Sequence, residues 1–206
     1  MQIIKLEEVG VEAAALRAAA VLAGGGIIVY PTDTLYGLGV NALDTKALEK
    51  LRTLKVRDKK KPVSILMPSI EAIEWHAELP PHAKDIAHRF FPGALTLVLP
   101  ALPHLPQELT FNDTIGVRVP ADIFSRALAE VFAHPVTATS ANLSGMTTPT
   151  TIPEMLVHFG ARIRDIDLLI DAGPRDAGVP STVVTFVNGE PRILREGAIS
   201  KAELGF

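Results

Sequence analysis

Two hydrophobic rhythms alternate along the chain. Segments with apolar residues every three to four positions predict helices, and short, nearly continuous apolar runs predict buried strands. Residues 11–23, rich in alanine and leucine, predict a helix that ends at Gly24-Gly25-Gly26. A glycine turn leading from helix to strand is a helix C-cap; a phosphate loop would lead from strand into helix. Further helices are predicted from about Asp44, with Asp44 or Thr45 as N-cap, and over 69–75, 81–90 and 122–133, with a last one opened by Pro153. Strands are predicted at 2–6, 27–30, 62–67, 94–99, 114–120, 136–140 and 167–171. Residues 181–187 and 190–194 flank Asn188-Gly189, the two-residue turn signature of a hairpin, so at least one pair is antiparallel. The fold class this predicts is α/β, a single domain over 1–206 with a twisted mixed sheet and flanking helices around a central basic crevice.

Composition narrows the classes. A 206-residue chain that is 48% hydrophobic and 21% charged, with mean hydropathy +0.27, is a folded protein. The longest apolar candidate, 11–30, carries Glu12, Arg17 and three glycines, so no membrane span is expected. The N-terminus lacks a basic stretch followed by an apolar one, which argues against secretion and for a cytoplasmic protein. With no cysteine, disulfides, thiolate nucleophiles and cysteine-ligated metals are excluded. The six histidines show no i, i+4 pairing, so no metal held by the protein is expected.

Chemistry concentrates from Pro31 onward. The strand Ile27-Ile28-Val29-Tyr30 runs into a turn crowded with hydroxyls and glycines, Pro31 to Gly39, and the next helix delivers a basic loop ending at Lys61-Pro62. Residues 46–61 carry a local charge of +6 within a chain of −3, leaving −9 elsewhere. That asymmetry reads either as a solvated helix face or as a focused field for an anion. Thr32 and Thr34, Lys55 and Arg57, Ser140 and Asn142, and Ser181 and Thr182 lie near strand ends, with Arg118 and Arg195 near others. Convergence on one crevice at the carboxyl ends of the strands would suit a polyphosphate and a small polar partner, although each cluster alone is ordinary turn chemistry.

Taken together, the motifs resemble a known family. Pro31-Thr-Asp-Thr-Leu-Tyr-Gly-Leu-Gly39, Lys55-x-Arg57 with Lys61-Pro62, Phe91-Pro-Gly-Ala-Leu-Thr96, Gly116-Val-Arg-Val-Pro120, Ser140-Ala-Asn-Leu-Ser-Gly145, and Ser181-Thr182 with Arg192-x-x-Arg-x-Gly197 follow the order seen in the threonylcarbamoyl-AMP synthase family, YrdC-like or TsaC. The resemblance implies an enzyme that joins L-threonine, bicarbonate and ATP, with Mg²⁺ carried by the nucleotide, into threonylcarbamoyl-adenylate and pyrophosphate. A tRNA-modifying transferase complex would then use the product. It further implies that Thr34, Arg118, Ser140 and Ser181 hold threonine, and that Lys55, Arg57, Lys61, Thr114, Asn142, Thr150 and Arg195 face the nucleotide. Lys55 and Arg57 would stabilise the charge of the reacting phosphates. Two positions depart from some relatives, which have histidine where Leu66 stands or asparagine where Lys61 stands, and the chain resembles the short, stand-alone form.

A competing reading is a YrdC-like module that binds transfer or double-stranded RNA without synthase activity. The basic run allows it; two tyrosines, one tryptophan and a negative net charge argue against it.

Overall fold

Several helices begin where the sequence supplies a cap. Asp44 accepts from the backbone N–H groups of Lys46 (2.9 Å) and Ala47 (3.2 Å), Asp122 from Ser125 (2.9 Å), and Thr151 closes a reciprocal capping box with Glu154. The computed structural model describes residues 1–56, 63–175, 179–186 and 190–205. Among these the helices are α1 (Leu6–Val9), α2 (Val11–Ala23), α3 (Thr45–Lys55), α4 (Ile70–Ile73), α5 (Pro81–Phe90), α6 (Ile123–Phe132), α7 (Ile152–Phe159) and α8 (Lys201–Leu204), with a 3₁₀ segment at Gly160–Asp165. The strands are β1 (Gln2–Lys5), β2 (Ile28–Tyr30), β3 (Gly37–Gly39), β4 (Ser64–Leu66), β5 (Leu95–Pro100), β6 (Thr114–Arg118), β7 (Val136–Ser140), β8 (Leu168–Asp171), β9 (Thr182–Thr185) and β10 (Arg192–Arg195).

They form one mixed sheet in the order β1-β8-β2-β3-β7-β4-β6-β5-β9-β10. The pairs β1/β8, β8/β2, β4/β6 and β5/β9 are parallel and the others antiparallel. The α/β class and mixed sheet agree with the sequence reading. So does the antiparallel β9/β10 pair, whose Asn188-Gly189 turn lies outside the described residues. Strand β3, the one-turn helices α1 and α8 and the 3₁₀ segment are not predicted by the sequence patterns. β3 is Gly-Leu-Gly, which has no apolar period to read; its burial comes from the neighbouring Tyr30 ring. A Cβ on Gly39 would stand 2.8 Å from Tyr30 Cε1, so only glycine admits the ring there. The Tyr30 hydroxyl donates to the Thr137 carbonyl at 3.0 Å, and full burial pushes its pKa far above the usual phenol value.

The strand period of two divides the side chains between faces. Ile27, Val29, Ile65, Leu95, Leu97, Ile115, Val117 and Leu169 join a core with α3, α4, α5 and α7. Ile28, Tyr30, Leu66, Val136, Leu168 and Ile170 face the other way, against Ala14, Ala18 and Leu22 of α2 and Phe124 and Leu128 of α6. Among the described residues, none of β5, β6, β9 or β10 enters this second core. Among the described residues, half of the sheet is therefore covered on both faces, and the other half leaves one face for the site. Among the described residues no helix is long and apolar enough to cross a membrane.

Candidate active site: a cavity on the open face of the sheet

The uncovered face forms the floor of a cavity of about 450 Å³, within the range of small-molecule sites. Ser64 and Leu66 of β4, Thr114, Gly116 and Arg118 of β6, Thr96 and Val98 of β5, and Ala138 and Ser140 of β7 line it at alternate positions. The convergence expected at strand carboxyl ends thus takes place mainly across a sheet face, because alternation turns every second residue of four adjacent strands toward one space. Gly116 lies at the centre of that floor. A Cβ there would fall 2.4 Å from Ser64 Oγ, so the close approach of β4 and β6 and the depth of the cavity both depend on a missing side chain.

Among the described residues, two guanidinium groups line the cavity. Arg118, 7% exposed, is paired through Nη2 with the Asp33 carboxylate and donates through Nη1 to Thr34 Oγ1 at a long 3.5 Å. Its buried Nε finds no acceptor among the described residues. Arg195 donates from Nη2 and Nε to the Ser181 carbonyl at 2.7 and 3.2 Å, and from Nη2 to Ser181 Oγ at 3.2 Å. Burial, and then the positive charge of Arg118, lower its pKa, the signature of two cations sharing a partly dehydrated space. Such a pair favours an anion between or beside them.

Hydroxyls complete the wall. Thr32 Oγ1 lies 3.1 Å from Thr34 Oγ1, accepts from the backbone of Thr34 and Leu35 at 3.2 Å, and donates to the Leu35 carbonyl at 2.5 Å. Thr96 Oγ1 and Ser181 Oγ share a buried hydrogen bond of 2.9 Å. The Pro31–Thr34 turn is tied to α6 by Ser125 Oγ, which donates to the Pro31 carbonyl at 3.0 Å, and to the segment after β8 by Arg175, which donates to the Thr32 carbonyl at 2.5 Å.

Of the residues singled out in the sequence, Thr34, Thr114, Arg118, Ser140, Ser181 and Arg195 line the cavity. Lys55, Asn142 and Thr150 do not. Lys55 is 1% exposed, and its ammonium donates to the carbonyls of Ser140 and Asn142 and to Asn142 Oδ1. These acceptors all belong to Ser140 and Asn142, so this cation braces the turn after β7. Asn142 Oδ1 also accepts from Ser140 Oγ at 2.5 Å, and its Nδ2 donates to the Met146 carbonyl. Thr150 is engaged with Glu154 at the start of α7 (N–H 2.9 Å, Oγ1 3.1 Å). Arg57 and Lys61 lie outside the described residues. Sequence reasoning missed Asp33, Thr96 and Arg175. Thr96 carried a readable signal, a hydroxyl inside an apolar strand at the same parity as Val98.

The class of protein is therefore a mixed α/β sheet that carries two guanidinium groups on a face without helix cover among the described residues. The family model Sua5/YciO/YrdC, described as telomere recombination, matches residues 20–197, and the chain belongs to that family. A threonylcarbamoyl-AMP synthase of Pyrococcus abyssi is 38% identical over 189 residues, 91% of this chain and 55% of that protein. A threonylcarbamoyl-AMP synthase of Thiobacillus denitrificans is 35% identical over 178 residues, 85% of this chain and 92% of that protein. The crystal structure of Pyrococcus abyssi Sua5 complexed with L-threonine superposes with a TM-score of 0.90 at 36% identity, covering 99% of this chain and 60% of that one. The chain spans about half the length of the Pyrococcus relative and of a Bacillus subtilis one.

Proposed function

We propose that this chain is an L-threonylcarbamoyladenylate synthase, a nucleotidyltransferase that uses L-threonine, bicarbonate and Mg²⁺–ATP. The observation that carries the reading is the pair Arg118 and Arg195 in one hydroxyl-lined cavity. The relatives' shared name and the threonine complex of a similar structure support it. A cavity of about 450 Å³ suits small molecules rather than a duplex surface.

The threonine carboxylate is assigned to Arg118, whose fork matches it. Thr34, Ser140 and Ser181 are assigned to its remaining polar atoms. Arg195 and Thr114, with Arg57 and Lys61, are assigned to the nucleotide side; Asn142 and Thr150, which do not line the cavity, are not. The threonine amine adds to bicarbonate with loss of water, giving a carbamate. A carbamate oxygen then attacks the α-phosphorus, and the bond to the bridging oxygen breaks as pyrophosphate leaves. Every step joins or separates anions, so the chain's task is to hold them together and to offset the developing charge. Mg²⁺ enters with the nucleotide as part of the substrate. Lys55 contributes by fixing the turn that carries Ser140. The product would pass to a cytoplasmic tRNA-modifying transferase complex.

The test is pyrophosphate release from Mg²⁺–ATP with L-threonine or bicarbonate omitted in turn and L-serine as control. Release that requires both supports the synthase. Nucleotide binding without release, together with retention of transfer or double-stranded RNA, would overturn it in favour of an RNA-binding paralogue.

A further inference from the structure

The turn from Ser140 to Met146 ends β7, supplies Ser140 to the cavity and cages the Lys55 ammonium. Four of its backbone donors meet backbone carbonyls. Ala141 N–H donates to the Tyr36 carbonyl (2.8 Å), Asn142 to Ser140 (2.9 Å), Ser144 to Lys55 (2.9 Å) and Met146 to Leu143 (3.1 Å). Leu143 N–H donates instead to a side chain, His158 Nε2 on α7, at 2.8 Å. Of these five donors it alone depends on a group that titrates near neutrality.

We propose that His158 is a positioning residue for the site: with Nε2 free of a proton it holds Leu143 N–H, and through the 140–146 turn it sets Ser140 and Lys55. An N–H donor requires a lone pair, so the accepting nitrogen is unprotonated and the proton of the neutral ring sits on Nδ1. A second proton would put N–H against N–H and add a cation near the Lys55 ammonium.

The surroundings reinforce this choice. Burial, and then the charge of Lys55 on α3, hold the His158 pKa below its ordinary value of 6.5. The 140–146 turn has no titratable side chain, and the Phe159 ring stands edge-on with its centroid 5.2 Å away. Glu154, one turn earlier on α7, is occupied by the N–H groups of Thr150 and Thr151. Among the described residues, the charge that acts on the ring is therefore one that disfavours the imidazolium. The sign follows: the contribution is complete above pH 6.5 and is lost as pH falls through the lower pKa of the folded state.

The activity readout rests on the synthase reading; the structural readout does not. In the native protein, NMR titration between about pH 5 and 8, the range in which histidine changes charge, follows the His158 ring and the backbone amides of Leu143 and Ser140. The expected result is one shared midpoint below that of a free imidazole. A Leu143 amide that ignores the His158 titration overturns the proposal. H158F should raise KM for threonine on the order of tenfold at neutral pH, the loss of one ordering hydrogen bond, with a smaller change in kcat. H158Q, which offers an acceptor that does not titrate, should recover part of that loss and remove the acid rise in KM. An H158F enzyme with native KM and a native pH profile also overturns it. Should H158F fail to fold, the native titration and H158Q still decide, and a native protein that releases no pyrophosphate refutes the synthase without touching the NMR result.

Discussion

The side chains of Asp33 and Arg118 are 14% and 9% exposed, so their ion pair lies in a region where an unmatched charge is expensive. Asp33 also leans on the start of the next segment, accepting from Ala121 N–H at 3.4 Å, so it fixes where the guanidinium stands. Truncating one member of such a pair leaves the other dehydrated and unpaired. Asp33→Ala is expected to cost about 3–5 kcal/mol of stability, measured as a lowered denaturant midpoint, and Asp33→Asn, which keeps an acceptor, less. Arg118→Lys separates charge from shape: it retains the cation but loses the planar fork. If Arg118 receives a carboxylate in two-point fashion, kcat/KM for threonine should fall about 100-fold, or about 2.7 kcal/mol, with the fold intact by circular dichroism. An Arg118→Lys enzyme with native kcat/KM would remove Arg118 from that role.

At the scale of elements, the floor is set by β6, and Gly116 is its sensitive point. Gly116→Val would drive a branched side chain into Ser64 and the cavity together, given the 2.4 Å that a Cβ alone would leave. The expected outcome is loss of threonine and nucleotide binding in calorimetry, with a destabilisation of about 1–3 kcal/mol. The same strand shows what the sequence disclosed. Apolar parity marked β6 and β7 as strands, and caps such as Asp44 marked helix starts, because those signals are local. The pattern Thr114, Gly116, Arg118 is equally local, a polar parity inside an apolar strand, yet in the sequence it reads as strand-end chemistry because the lack of helix cover on that face among the described residues is a tertiary fact. Lys55 was legible as charge but not as a buried brace, since acceptors on Ser140 and Asn142 lie 85 and 87 residues away in sequence. The short α8 had a readable capping box, Ser200 with Glu203, but a single turn has no period to accompany it.

At the scale of the whole molecule, a chain with a net charge of −3 collects two guanidinium groups in one cavity, where Arg118 is paired with Asp33 and its charge still opposes that of Arg195. An anion that binds only the folded state relieves that opposition and stabilises by linkage, about 2.7 kcal/mol at 100 times its dissociation constant. For a domain of this size each kcal/mol raises Tm by roughly 2–4 °C, so saturating ATP or inorganic pyrophosphate should raise Tm by roughly 5–10 °C. Because the cavity cations are partly buried, moderate NaCl should erode this shift only slowly. Binding at the exposed Lys46 and Lys50 of α3 would behave otherwise, falling steeply with salt as surface phosphate contacts do. Arg195→Gln should abolish the shift while leaving these lysines untouched. A thermal shift that survives in Arg195→Gln and vanishes with added salt would place the anion on those exposed lysines and withdraw the cavity from phosphate binding.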